Sequence, residues 1–225
     1  MTKLLHIETA TKVCSVALSQ NGECVSLVEE NSENYTHSEN LTLFIECAIK
    51  EAGWTLSELD AIVVTSGPGS YTGLRIGVST AKGLCYALNL PLISVGSIES
   101  IVAIASEKYI DKSICALIDA KRMEVFSAVY DHNGKCVKPL SADIIDENTY
   151  NEFMPFVVCG DGAKKLQEIW REKNASFDLT VISSAKGQIK IAYEKFSKHL
   201  FEDLAYFEPK YLKDFIGTKS KKKSF

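Results

Sequence analysis

Three carboxylates come directly after apolar runs, where the strands of an α/β fold would end. Glu8, Asp119 and Asp161 each occupy such a position. Carboxylates at strand ends are typical of phosphate and metal sites in these folds. They are equally typical of turns, in which Asp bonds nearby backbone groups. Both interpretations stay open, and the three residues are candidates for a nucleotide or metal site.

A glycine-rich segment, Gly67-Pro-Gly-Ser-Tyr-Thr-Gly73, lies between a predicted strand and a predicted helix. This is where an anion can bind at a helix N-terminus. No Gly-Lys-Ser/Thr follows, so the segment is not a Walker loop, and Gly73 comes one residue late for a dinucleotide fingerprint. We therefore favour a tight turn in which Ser70 or Thr72 caps the helix.

Side chains arranged for catalysis are scarce. The four histidines are far apart and none pairs at i, i+4, so their spacing predicts no zinc site. No G-x-S-x-G elbow is present, which excludes one common class of serine hydrolase. Seven cysteines without a C-x-x-C pair predict free thiols and a reducing compartment. We expect no metal, no cofactor, no membrane span and a cytoplasmic location.

Alternating strand and helix patterns predict two mixed α/β lobes, residues 1–108 and 109–217, followed by a disordered basic tail at 218–225. Asn21-Gly22 predicts a hairpin, and Thr36 with Glu39 predicts a capping box. The predicted strands are 4–9, 14–19, 23–30, 61–65, 91–95, 114–118, 124–130, 156–159 and 179–182, and the predicted helices are 36–51, 72–89, 97–108, 163–172 and 186–199.

Two of these helices, 36–51 and 72–89, carry much apolar surface. On the second, apolar residues cover an arc of about 200°, whereas one core needs about 100°. Gly73, Gly77 and Ala81 are spaced by four and would form a groove that another backbone can approach closely. Either both helices are deeply buried in one chain, or they bind a second subunit. The candidate interface residues are Leu41, Ile45, Gly73, Leu74, Arg75, Gly77, Val78, Ala81 and Leu84.

The net charge argues against independent binding to nucleic acid. It is −4 for the whole chain, and four of the last eight residues are lysines: Lys219, Lys221, Lys222 and Lys223. The preceding part is therefore more acidic still, and an acidic body does not hold phosphate backbones by itself. A tRNA-binding role for the lysine tail is a minor alternative to a solvated tail.

Several segments, taken in order, resemble the TsaB family. They are LLHIETATKVCSVAL, HSENL, SGPGSYTGLRIGVSTAKGL and LIDAKRMEVF, which cover residues 1 to about 130, with looser agreement at VVCGDGA and EPKYLK. The resemblance implies the fold of actin, hexokinase and the seventy-kilodalton heat-shock ATPases, with two ribonuclease-H-like lobes. It also implies a paralogue of TsaD, which transfers a threonylcarbamoyl group to N6 of the adenosine beside the tRNA anticodon.

The resemblance further implies partners: a TsaD-type catalytic subunit, a TsaE-type ATPase, and a homodimer when the protein is isolated. In the catalytic paralogue, two histidines four residues apart bind metal, and Ser97 and Ile101 stand at those positions here. Serine is a poor ligand and isoleucine cannot be one. Glu8 stands where the family usually has Asp, and Asp119 is followed by bulky residues instead of glycines. Glu8, Asp119 and Asp161 are therefore interpreted as a vestigial nucleotide site.

The leading hypothesis is a non-catalytic scaffold subunit that reaches tRNA only through its complex. The alternative is an enzyme in its own right, either an ATPase or a metallopeptidase of the glycoprotease type. Glu8, Asp119 and Asp161 would then be the residues that carry the chemistry.

Overall fold

The computed structural model describes residues 1–32 and 37–213. Two five-stranded sheets repeat one topology, in which three antiparallel strands are followed by two parallel strands. The first sheet has the order β3-β2-β1-β4-β5, and consists of β1 (Lys3–Glu8), β2 (Val13–Gln20), β3 (Glu23–Asn31), β4 (Ala61–Gly67) and β5 (Leu92–Gly96). The second has the matching order β8-β7-β6-β9-β10, and consists of β6 (Ile114–Asp119), β7 (Glu124–Tyr130), β8 (Cys136–Ile144), β9 (Phe156–Cys159) and β10 (Ala175–Asp178).

Alternation along β1 explains how the first sheet is covered on both faces. Leu5 and Ile7 join the core beneath the first two helices, while Leu4 joins a separate cluster on the opposite face. Successive side chains of a strand point to opposite faces, so a strand buried on both sides is apolar throughout. The helices are α1 (His37–Ala52), α2 (Tyr71–Leu88), α3 (Ser97–Lys108) and α4 (Ile189–Ser197), of which α1 and α2 cover one face of the first sheet and α4 the other.

The hairpin at Asn21-Gly22 is confirmed, with both residues at positive φ (52° and 83°) as a type I′ turn requires. The span of α3 is also confirmed. One helix of the predicted second lobe, residues 109–217, lies elsewhere than expected, because α4 packs on the first sheet. Residues beyond α4 stay with that sheet, where Glu202 N donates to Leu92 O at 2.9 Å.

In the second half two local predictions are wrong and one strand was not predicted. The predicted helix at 163–172 is a 3₁₀ turn (Lys164–Leu166) followed by further turns, because the chain bends to bury Trp170 completely. Its indole N–H donates to Asp146 O at 2.9 Å. The strand predicted at 179–182 lies four residues earlier, as β10, and β8 was missed because this exposed edge strand contains Pro139 and lacks an apolar face.

All seven cysteines lie in the described residues and are free thiols. In the same part of the chain, no helix has the length and apolar character needed to cross a membrane. The capping box predicted at Thr36 and the basic tail predicted at 218–225 lie outside the described residues.

The glycines of α2 provide a matched test of its packing. A Cβ atom at Gly77 would lie 2.3 Å from Thr9 Oγ1, whereas no described atom lies within 4 Å of a Cβ at Gly83. We expect Gly77→Ala to reduce the free energy of unfolding by about 1–3 kcal/mol because the core is overpacked. Gly83→Ala should increase it by about 0.5–1 kcal/mol through helix propensity. Urea unfolding followed by circular dichroism measures both, and equal effects would contradict this packing.

His6 on β1 generates a prediction about acid stability. Its ring is fully buried, Nε2 lies 2.8 Å from Ser19 Oγ, and burial lowers its pKa to about 3. Between about pH 6.5 and pH 3 the unfolded chain therefore binds a proton that the folded chain does not. Stability is lost as the pH falls through this window, by about 1.4 kcal/mol per pH unit from this group.

The corresponding variant is His6→Asn, which keeps a polar group beside Ser19 and cannot be protonated in this window. Its free energy of unfolding should fall less steeply than that of the wild type between pH 6.5 and pH 4. Urea unfolding at a series of pH values measures the two slopes. Parallel curves would contradict a neutral, buried His6.

Candidate functional site

The candidate carboxylates lie at the carboxyl ends of parallel strands, in two separate groups. Glu8 ends β1, and its neighbour β4 contributes Thr65 beside it. Asp119 ends β6, and Asp161 follows the neighbouring strand β9, so that Asp119 N donates to Asp161 Oδ1 at 3.0 Å. Among the contacts of the described residues, none joins Glu8 to either aspartate. The three carboxylates therefore do not form one cluster.

The side chain of Glu8 is completely buried and its carboxyl oxygens are occupied by the chain itself. Oε1 accepts from Ala10 N at 2.7 Å, and Oε2 accepts from Thr65 Oγ1 at 2.6 Å. Burial raises the pKa of Glu8, and these hydrogen bonds oppose the rise. Gln188 Nε2 donates in turn to Thr65 Oγ1 (2.7 Å) and to Ile7 O (3.1 Å). The carboxyl group thus joins a buried network and presents no face to solvent.

Residues 183–188, which we name the wedge segment, close the space between the first sheet and α3. Ala185 N donates to Ser15 Oγ on β2 at 3.0 Å, and Ser100 Oγ on α3 donates to Ser184 O at 2.7 Å. A Cβ atom at Gly187 would lie only 2.3 Å from Ser100 O, so only glycine fits this approach. The wedge segment, which carries Gln188, holds the network around Glu8 from one side.

The glycine-rich segment is a helix-capping turn, as favoured from the sequence. Ser70 is the N-cap of α2, and its Oγ accepts from Gly73 N at 3.2 Å. Ser70 N donates to Ala10 O at 2.6 Å, and a Cβ atom at Gly69 would lie 2.3 Å from the same oxygen. The backbone N–H groups of Ser70 and Gly73 therefore donate to oxygen atoms of the chain itself. This is expected of a turn that packs against the rest of the protein and does not bind an anion.

The groove predicted along Gly73, Gly77 and Ala81 exists, but the chain fills it. Thr9 Oγ1 donates to Gly73 O at 2.8 Å, and a Cβ atom at Gly73 would lie 2.2 Å from Thr9 O. The backbone that approaches these small residues is therefore the turn after β1. The expectation that a partner's backbone would enter this groove is corrected accordingly.

Seven of the nine candidate interface residues are buried in the chain's own core. They pack in the core on the first sheet or against the turn that follows β1. The seven are Leu41, Ile45, Gly73, Leu74, Gly77, Val78 and Ala81. The other two keep exposed surface. Leu84 is half-buried, and the guanidinium of exposed Arg75 stacks 4.1 Å from the Tyr71 ring.

A C-terminal segment, residues 202–213, crosses the outside of α2, and we name it the strap. Lys82 Nζ donates to Ala205 O and Phe207 O, both at 3.2 Å. Lys210 N then donates to Ser66 O at 2.7 Å, beside the glycine-rich turn. At its end, Lys213 forms an ion pair with Glu124 on β7. The strap therefore ties the first lobe to the second and covers one side of α2.

Asp119 is engaged by a lysine that sequence reasoning missed. Lys165 Nζ lies 2.5 Å from Asp119 Oδ1, and Lys121 N donates to the same oxygen at 2.8 Å. Two consecutive lysines, Lys164 and Lys165, begin three residues after Asp161 in the sequence. Asp119, the partner of Lys165, lies 46 positions earlier in the chain. Thr65 and Gln188 were missed for the same reason, since neither stands next to Glu8 in the chain.

Ser97 and Ile101, the positions at which the resemblance implies histidine ligands in the catalytic paralogue, are both buried at the start of α3. Ser97 Oγ donates to Pro68 O at 2.5 Å, and Ile101 belongs to the core beneath the second sheet. One side chain therefore secures the glycine-rich turn, and the other fills the core. A neutral serine hydroxyl is a poor metal ligand, and isoleucine has no ligand atom.

Comparisons with known proteins agree with this architecture. The family model described as "TsaD: tRNA N6-adenosine threonylcarbamoyltransferase" matches residues 30–223. The Escherichia coli (strain K12) protein named "tRNA threonylcarbamoyladenosine biosynthesis protein TsaB" is 27% identical over 226 residues, which cover 96% of this chain and 97% of that protein.

Solved structures give the same result for the fold. YeaZ from Pseudomonas aeruginosa superposes with a TM-score of 0.79 at 25% identity, covering 94% of this chain and 100% of that one. An activator of 2-hydroxyisocaproyl-CoA dehydratase from Clostridium difficile, with bound ADPNP, superposes with a TM-score of 0.54 at 10% identity, covering 90% and 99% of the two chains. This second likeness concerns the fold alone.

The predicted actin-like α/β fold with two ribonuclease-H-like lobes is confirmed. Because the family model spans most of the chain and a TsaB protein matches it over nearly its whole length, this protein belongs to the TsaB family.

Proposed function

We propose that the chain is a non-catalytic subunit in tRNA threonylcarbamoyladenosine biosynthesis, which stabilises and orients a TsaD-type threonylcarbamoyltransferase. The pathway follows from the names of its relatives. A TsaE-type ATPase completes the proposed complex, tRNA is reached only through that complex, and the isolated chain forms a homodimer. A cytoplasmic location is part of the proposal, in keeping with seven free thiols.

The observation that carries the non-catalytic role is the pair Ser97 and Ile101. A metal-dependent transferase needs good ligands at these positions, and this chain has a buried neutral hydroxyl that donates to Pro68 O and an aliphatic side chain with no exposed surface. The remaining candidates support the same interpretation, since Glu8 is enclosed in its own network and Asp119 holds Lys165.

The surface proposed for the partner lies on the outward faces of α1 and α2. On α2, Ser79, Gly83 and Ala87 are exposed and spaced by four, so small residues follow this face too. On α1, Leu43 is 58% exposed. Small residues allow a partner helix to approach closely, and Leu43 with half-buried Leu84 supplies apolar area. This surface replaces the buried residues named from the sequence.

Two substitutions that the fold tolerates test this surface. Gly83→Gln adds a side chain into open space on α2, and Leu43→Asp places a charge on exposed α1. Each should weaken binding to the TsaD-type subunit by about tenfold or more, which corresponds to about 1.4 kcal/mol. Isothermal titration calorimetry with the purified partner measures the change.

The matched control is Ile144→Asp, because Ile144 is 79% exposed on β8 of the second lobe. It should bind the partner as the wild type does. Thermal unfolding of all three variants checks that the fold is retained. If Ile144→Asp alone weakened binding, the partner surface would lie on the second lobe and the proposal for α1 and α2 would fail.

Catalysis by the chain itself is tested separately, by ATP turnover and peptide hydrolysis of the protein alone. We expect neither activity above background, with or without Mg²⁺ or Zn²⁺. In the reconstituted complex, Asp119→Ala should leave the rate of tRNA modification within about twofold, a change of about 0.4 kcal/mol in the barrier, because this residue takes no part in the reaction. Robust turnover by the isolated chain that Asp119→Ala abolishes would establish an enzyme instead.

A further inference from the structure

The ammonium group of Lys165 lies in a seat formed by three oxygen atoms at the end of β6. It is 2.5 Å from Asp119 Oδ1, 2.5 Å from Glu124 O and 3.0 Å from Arg122 O. An ammonium group has three N–H donors, and each of these oxygens can accept one of them. The side chain is about four-fifths buried, so the seat is partly shielded from water.

The seat has the composition of a site for a hard cation. Carboxylate and carbonyl oxygens are the ligands that Ca²⁺ and Mg²⁺ prefer, and all three atoms around the ammonium are of these kinds. A second carboxylate stands next to it, because Asp161 Oδ1 accepts from the backbone N–H of Asp119 at 3.0 Å. One carboxylate and two carbonyl dipoles therefore contact the positive charge, and a second carboxylate lies beside the first.

The turn that supplies the two carbonyls has an unusual backbone. Lys121 and Arg122 are both in the left-handed region, with φ of 67° and 52°. That backbone conformation has a free-energy cost of roughly 1–2 kcal/mol for each residue other than glycine. A cation that binds the carbonyls of Arg122 and Glu124 stabilises the turn from inside the hairpin. Lys165 reaches it from a short 3₁₀ turn anchored by Leu166, which is fully buried.

We propose that Lys165 is a built-in cation, whose ammonium group occupies a seat that would otherwise bind a divalent metal ion. Removal of the ammonium should create an oxygen-only site for Ca²⁺ or Mg²⁺ formed by Asp119 and the carbonyls of Arg122 and Glu124, with Asp161 beside Asp119. The inference rests on these contacts and does not depend on the partner surface on α1 and α2.

The test variant is Lys165→Met, which keeps an apolar stem of similar length and removes the charge. Lys164→Met is the matched control, since Lys164 is exposed on the same turn. Without added metal, Lys165→Met should unfold at a lower temperature than the wild type. Calcium chloride at about ten times its dissociation constant should raise this Tm by about 3–6 °C. The wild type and Lys164→Met should not respond to the same additions of CaCl₂ or MgCl₂.

Isothermal titration calorimetry should detect one Ca²⁺ site in Lys165→Met and none in the wild type. The double variant Lys165→Met/Asp119→Asn should lose the site, because the carboxylate that dominates the seat is neutral. If Lys165→Met does not fold, refolding is compared with and without CaCl₂, and recovery only with the cation supports the proposal. Failure to refold in both conditions, or a folded variant with no response to either cation, overturns it.

Discussion

The close approach of the turn after β1 to the start of α2 determines how the first lobe is built. Thr9 and Ala10 contact Gly69, Gly73 and Gly77 at distances that no side chain larger than hydrogen would allow. The contact fixes the glycine-rich turn against β1 and holds α2 flat on the sheet. It also places Ala10 N against the carboxyl group of Glu8, so that one packing constraint encloses the first candidate residue.

The two lobes repeat one topology. In each, the carboxylate that ends the first strand contacts other side chains of the same chain. In the first lobe the wedge segment brings Gln188 to Thr65 on β4, and Thr65 donates a hydrogen bond to Glu8. In the second lobe Lys165 forms an ion pair with the carboxylate of Asp119. A buried carboxyl group needs a hydrogen-bond or charge partner wherever it lies, and here intramolecular partners satisfy that need.

Burial also changes which parts of α1 and α2 can take part in assembly. A helix with an apolar arc of twice the usual width can serve two surfaces, or it can be embedded more deeply in one. Here the turn after β1 and the strap cover part of that arc, and the residues that stay exposed include Ser79, Gly83 and Ala87 on α2 and Leu43 on α1. The ion pair between Lys213 and Glu124 makes the strap a link between lobes as well as a cover for α2.

The sequence by itself determined the elements whose signals are local. Asn21-Gly22 predicted its hairpin, Ser70 its cap, and the order of strands and helices predicted two α/β lobes, because turn chemistry and side-chain periodicity act over a few residues. The ordered motifs were enough to indicate the family. Periodicity did not distinguish a buried helix from a docking helix, and it mistook the bend around Trp170 for a helix.

Only the tertiary structure decided what each candidate residue does. Lys165 meets Asp119 across 46 positions, and Gln188 meets Ile7 across 181, so no window of sequence contains both partners. The same holds for Thr9, which fills the groove on α2 that the sequence left open. Contacts of this kind arise from how sheets and helices pack, and local residue preferences do not encode them.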